Sequence, residues 1–154
     1  MPGWRSTLRL KEHPEGGVYR EIHRSDERVL PFDGRTERRA ISHIYFSLSA
    51  GEISRFHRVE SDEIWHLYEG KKLLLHEWEE GSDQIRTSCL GGPDYPHCYV
   101  VRKGFWQAAE LIGEAVLVGC TVGPGFEFED FRLLDSCDEC RKAIQAIGGF
   151  ERFL

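Results

Sequence analysis

The sequence predicts an all-β antiparallel sandwich or barrel with one short C-terminal helix. Three observations carry this expectation. Short runs rich in β-branched and aromatic residues recur along the chain, turn-forming residues separate them at close intervals, and helical signals are confined to one segment near the C-terminus. The 154 residues suit a single domain, read as 1–154, large enough to bury about two-thirds of the surface of its unfolded chain without disulfides or a metal.

In chain order, the first recognisable element is the "HPEGGVYRE" block. Gly16-Gly17 there allows a tight turn, or a close backbone approach to a ligand, ahead of the first strand. Arg28 to Arg39, with Pro31, Asp33 and Gly34, reads as a loop. Strands follow at 41–48, 54–59, 63–68, 72–78, 84–89, 97–102, 105–110 and 115–122, with turns expected at Gly51, Ser61-Asp62, Glu69-Gly70, Gly81-Ser82-Asp83, Gly91-Gly92-Pro93, Lys103-Gly104 and Gly113-Glu114. In the closing "GCTVGPGFEFEDF", Gly123-Pro124-Gly125 reads as a turn and Phe126, Phe128 and Phe131 as packing residues of the last strand. The helix is expected over 135–147, with Asp135 or Ser136 as N-cap and Gly148-Gly149 past its end.

Charge and cysteine usage exclude several classes. The net charge is −6 and Lys and Arg are dispersed among acids, so no nucleic-acid partner is expected. The opening residues lack the apolar run of a signal peptide and no stretch is long and apolar enough to span a bilayer, so a cytoplasmic protein without a membrane partner is expected. The five cysteines show no disulfide framework and read as small buried hydrophobes in a reducing compartment. Cys137-Asp-Glu-Cys140 has CxxC spacing, but no second pair completes a zinc set and no βαβ unit precedes it.

The segment "GEISRFHRVESDEIWHLYEG" (51–70) concentrates the candidate chemistry. Strand alternation puts Arg55, His57 and Val59 on one face and Phe56 and Arg58 on the other. It likewise groups Glu63, Trp65 and Leu67 opposite Ile64, His66 and Tyr68. Glu63 and His66 can therefore share a pocket only across a bulge. Arg20, Arg24 and Arg58 are candidates for an anionic group, although such arginines more often pair with surface acids.

The spacing of this segment resembles the first motif of the cupin superfamily, G-x5-H-x-H-x3,4-E-x6-G, with Gly51, His57, Glu63 and Gly70 on its first glycine, first histidine, glutamate and last glycine. "RKGFWQ" resembles the second motif, with Gly104 on its glycine. Val59 and Gln107 stand where the two remaining histidines would be. The blocks "LKEHPEGGVYREIHRS", "GEISRFHRVESDEIWHLYEG", "GFWQAA" and "LVGCTVGPGFEFEDF" are together similar to the Cupin_5 family, a domain of unknown function. The resemblance implies a cupin jelly roll with a core of about 8–134, a helix and tail in 135–154, a pocket inside the barrel and a homodimer.

Three functions fit these residues. A histidine and a carboxylate in one water-poor barrel can exchange protons with a substrate. By analogy with metal-free sugar-nucleotide epimerases of similar fold, His57 would be the base, Glu63 its partner, and Tyr19, Tyr45 or Tyr99 the acid. Alternatively the barrel is a binding site without chemistry, in which Glu15, Tyr19, Phe56, Trp65, His66, Trp106 and Gln107 contact a small polar or ring-containing ligand. A divalent metal on His57, Glu63 and Gln107 is the third; with Val59 and Gln107 in two imidazole positions, no cofactor is expected.

Overall fold

In the computed structural model, which describes residues 2–154, the β-rich runs form eleven strands. A one-turn helix, α1 (Trp4–Thr7), leads into β1 (Lys11–Glu12), β2 (Val18–Arg24), β3 (Arg28–Val29), β4 (Arg38–Arg39), β5 (Ser42–Ser49), β6 (Ile53–Val59), β7 (Asp62–Trp78), β8 (Arg86–Leu90), β9 (Cys98–Val101), β10 (Trp106–Gly123) and β11 (Phe131–Leu133). The helix α2 (Asp138–Ile147) follows, and a 3-10 turn at Glu151–Phe153 ends the chain.

All pairings are antiparallel. The two long strands β7 and β10 run side by side from Trp78↔Trp106 to Asp62↔Gly123. The C-terminal half of β10 pairs with β5 and its N-terminal half with β6, while β7 pairs with β9 through residues 63–66 and with β8 through 73–77. Both strands thus bend from one sheet into the other, which closes a jelly roll. The sequence reads two strands on either side of Glu69-Gly70, and two more around Gly113-Glu114. Each couple is instead one strand, because the expected turns are bends within the β7–β10 ladder, where the register shifts between Ile112 and Val116. Gly70 takes φ 112°, and a β-carbon there would sit 2.7 Å from Val116 Cγ1.

Between the sheets lies one core, built on Phe46, Leu48, Trp65, Leu73, Leu75, Leu90, Val116 and Val118. Phe56, Trp78, Trp106 and Ala108 project from the opposite face of the second sheet and form a separate core with Leu134, Cys140, Ile144 and Phe153. Ala143 and Ile147 complete the inward stripe of α2 at helical spacing.

Several local details differ from expectation. The 28–39 loop carries the two-stranded β3–β4 ribbon, tied down by Arg38, which donates to Asp130 from Nε at 2.8 Å and from Nη2 at 2.9 Å. α2 is capped by Cys137, whose Sγ accepts the Cys140 N–H at 3.3 Å, because Ser136 Oγ donates to Leu133 O instead. Cys137 and Cys140 form a disulfide across the first turn of α2, and Cys98 is exposed, so only Cys120 fits the expectation of a free, buried thiol. Among the described residues, no helix is long and apolar enough to cross a membrane.

Candidate functional site

A cavity of about 380 Å³ opens at one end of the barrel. Its floor is set by the turn before β2. Gly16 and Gly17, at φ 110° and 67°, fold residues 13–17 back over β6, where Glu15 O accepts the Arg55 N–H at 2.8 Å. A β-carbon on Gly17 would meet Ser47 O and Leu48 Cδ2, both at 2.8 Å, so only glycine lets the turn sit this low. The Glu15 side chain consequently lies fully inside, accepting from Ser54 Oγ at 2.7 Å through Oε1 and standing 3.1 Å from His57 Nε2 through Oε2.

The hydrogen-bond inventory fixes the protons. His57 Nδ1 lies 2.8 Å from Arg55 O, a carbonyl that only accepts, so Nδ1 carries a hydrogen. Nε2 and Glu15 Oε2 must then share one proton. Burial pushes the Glu15 carboxyl up to about 8, against a weaker downward pull from the Ser54 hydrogen bond, and burial also lowers His57, so the neutral acid–imidazole form prevails at neutral pH. His13 Nδ1 accepts the Glu15 N–H at 3.3 Å, which leaves its proton on Nε2. Burial, followed by the charge of His57, depresses it to about 3.

Glu63 enters from the start of β7 and is held from behind. Gln107 Nε2 donates to Glu63 Oε2 at 2.7 Å, and Gln107 Oε1 accepts from Trp65 Nε1 at 2.8 Å. Burial raises Glu63 to about 7, opposed by the His57 charge and by hydrogen bonds from Gln107 and Cys120. The Cys120 thiol is pushed up by burial and by the same two carboxyls. The walls are Ile44, Phe46, Val59, Val122, Phe126, Phe128 and Phe131.

The structure brings His57, Glu63, Glu15 and Tyr19 to this cavity, with Gln107 and Trp65 one layer behind Glu63. It does not bring Phe56, His66 or Trp106. Phe56 and Trp106 are buried beneath the C-terminal helix and tail, and His66 lies on the outer face of the first sheet, 3.1 Å from Thr121 Oγ1. Each is one residue from an inward neighbour, and the pleat turns it away. The expected His57–Glu63 hydrogen bond is replaced by His57–Glu15. Of the tyrosines, Tyr99 donates to Glu77 and Tyr45 packs on Tyr68 outside; Tyr19 alone lines the cavity. Arg58 pairs with Glu60 and Glu80, away from the site, whereas Arg20 and Arg24 stand at its mouth.

His13, which the sequence does not single out, and the Phe126–Phe131 segment, expected as strand packing, are both part of the pocket. The F-x-F spacing of Phe126 and Phe128 was the available signal. Their rings meet edge to face at 5.1 Å, and the segment is pinned by the Phe126 N–H on Ser42 Oγ at 2.9 Å.

A metal on His57, Glu63 and Gln107 does not fit this arrangement. His57 uses both ring nitrogens on Arg55 O and Glu15, and Gln107 uses its oxygen on Trp65 and its nitrogen on Glu63, so no three lone pairs converge.

The model of the Cupin_5 family, described as cupin superfamily (DUF985), matches residues 4–134. The chain belongs to this family. Among solved structures, this cupin is similar to a hypothetical protein from Leishmania major, at 27% identity and a TM-score of 0.86 over 97% of this chain and 96% of that one. It is also similar to a protein from Shewanella oneidensis, at 31% identity and a TM-score of 0.83 over 97% and 94%. Oxalate decarboxylase of Bacillus subtilis shares the fold at 16% identity and a TM-score of 0.61, over 89% of this chain and 33% of that one. No curated protein matches the sequence.

Proposed function

We propose that this cupin binds a small polar, ring-containing molecule in its barrel and exchanges a proton with it, as an isomerase or epimerase does. The observation that carries the reading is the His57 Nε2–Glu15 Oε2 contact of 3.1 Å at the floor of an aromatic-walled cavity, with the other imidazole nitrogen fixed on a carbonyl. One proton on that line can move towards either atom without rearranging the ring. Glu63, titrating at about 7, is a second group poised near neutral pH. Tyr19 and the Phe126–Phe131 segment supply faces for a ring.

A second reading, binding without chemistry, draws on the Trp65–Gln107–Glu63 chain, which satisfies Glu63 from behind as a scaffold would. Solvent deuterium separates the two. A compound that raises the melting temperature, selected from sugars, nucleotides, nucleobases and small acids, is incubated with protein in D2O. Proton transfer incorporates deuterium at a carbon of the ligand, and His57→Ala abolishes it. Binding with no incorporation assigns the site to recognition alone.

A further inference from the structure

The mouth of the cavity is built differently from its floor. Arg9, Lys11, Arg20 and Arg24 line it in a chain whose net charge is −6. Arg24 is matched by Glu21 at 2.7 Å and Glu127 at 3.0 Å. Among the described residues, no carboxylate forms an ion pair with Arg9, Lys11 or Arg20, although most arginines of this chain have one.

Exposed cations are ordinarily solvated and unaimed, but two of these three side chains are held and the third stands on a fixed backbone. Lys11 lies opposite Tyr19 across the β1–β2 pair, with Nζ 5.3 Å from the ring centroid. Arg20 Nη1 donates to Leu8 O at 3.2 Å, which anchors the guanidinium beside the residue preceding Arg9. Arg9 itself follows α1 at φ 53°, in the left-handed region, with its N–H on Ser6 O. Glycine is the usual occupant of that position past a helix, because a β-carbon is strained there. Here the chain places an arginine instead, and strain of this kind collects at ligand sites.

We propose that the ligand of the barrel carries an oxyanion, a carboxylate or a phosphate, which sits at the mouth among Arg9, Lys11 and Arg20, while its uncharged ring reaches the His57–Glu15 floor. The floor fixes this orientation. At the floor an anion would be buried beside Glu15, Glu63 and an imidazole whose two nitrogens are both engaged, with no cation to pair with, whereas the mouth supplies three. The inference rests on the reading of the barrel as a ligand pocket and adds the charge and polarity of what enters it.

Matched probes test it: D-galacturonate against D-galactose, D-glucose 6-phosphate against D-glucose, and inorganic phosphate alone, titrated calorimetrically. At least one charged sugar is expected to bind and its neutral partner not to. Raising salt from about 0.02 M to about 0.5 M should weaken that binding about tenfold or more. The combined Arg9→Ala, Lys11→Ala and Arg20→Ala variant should weaken it at least as much, whereas Lys71→Ala, Arg102→Ala and Lys142→Ala together should leave it unchanged. Arg9→Gly should raise the melting temperature of the free protein and still weaken the anion. The carboxylate and phosphate arms identify which oxyanion is preferred.

Equal binding of neutral and charged partners, no binding of either charged sugar, or full binding by the mouth variant overturns the proposal. Inorganic phosphate binding as tightly as the sugar phosphate overturns the ring half of it. A neutral ligand lost on His57→Ala overturns only the anion and leaves the pocket reading intact. A charged ligand that ignores His57→Ala keeps the anion and overturns the floor.

Discussion

Glu15 and His57, from a glycine turn and from β6, meet at 3.1 Å with one proton between them, and both are buried at the cavity floor. This contact makes the site sensitive to both residues in different ways. His57→Ala leaves the Glu15 acid without its acceptor and should destabilise the fold by about 1–3 kcal/mol. Glu15→Gln keeps a donor towards Nε2 and should cost less. Denaturant unfolding of both variants checks the order, and a reversal would show that the carboxyl is held by Ser54 alone.

The same pair fixes a tautomer. His57 should carry its hydrogen on Nδ1 and His13 on Nε2 at neutral pH, since each opposite nitrogen is needed as an acceptor. Nitrogen-15 chemical shifts of the two rings read this directly.

Stability should fall on the alkaline side. Glu15 and Glu63 titrate at about 8 and about 7 in the fold against an ordinary 4.5, so the folded chain holds protons that the unfolded chain gives up. Their contribution is complete below pH 4.5 and is lost as pH rises through about 8. The lowered His13 and His57 act oppositely, with a contribution complete above the ordinary 6.5 and lost as pH falls below it. The melting temperature should therefore peak in mildly acidic buffer and drop by roughly 5 °C towards about pH 9. Glu15→Gln should flatten that drop.

Thiol labelling should discriminate among the free cysteines. Cys98 is exposed and should react first with iodoacetamide, whereas Cys120 is buried against Glu63, with its thiol held in the protonated form. Peptide mapping of partly labelled protein gives the order; early modification of Cys120 would mean that the cavity floor opens.

Elemental analysis of protein purified without an affinity tag should give less than one transition metal per chain, because His57 and Gln107 spend their donor atoms on Arg55, Glu15, Trp65 and Glu63. A firmly bound equivalent would require Glu15 to release His57.

How far the site was legible follows from parity. Alternation along 54–59 and 63–68 already separates His57 from Phe56 and Glu63 from His66, and the barrel keeps that separation. Phe56, His66 and Trp106 have attractive chemistry but the wrong parity for the pocket. The Glu15–His57 contact was not readable, since it joins residues 42 positions apart through a turn whose depth depends on what Gly17 lies against. In the sequence the long β7 and β10 look like four strands, because glycine marks a bend and a turn alike. The wall from Phe126 to Phe131 follows from tertiary placement, which no local period encodes.

The family match stops at residue 134, yet Leu134 is where the outer core of the second sheet begins. Cutting the chain there would bare Phe56, Trp78 and Trp106 together, a patch adhesive enough to drive self-association. The segment 4–134 expressed alone is therefore expected to be less soluble than the 154-residue chain, because the cover of that patch comes from residues beyond the family boundary.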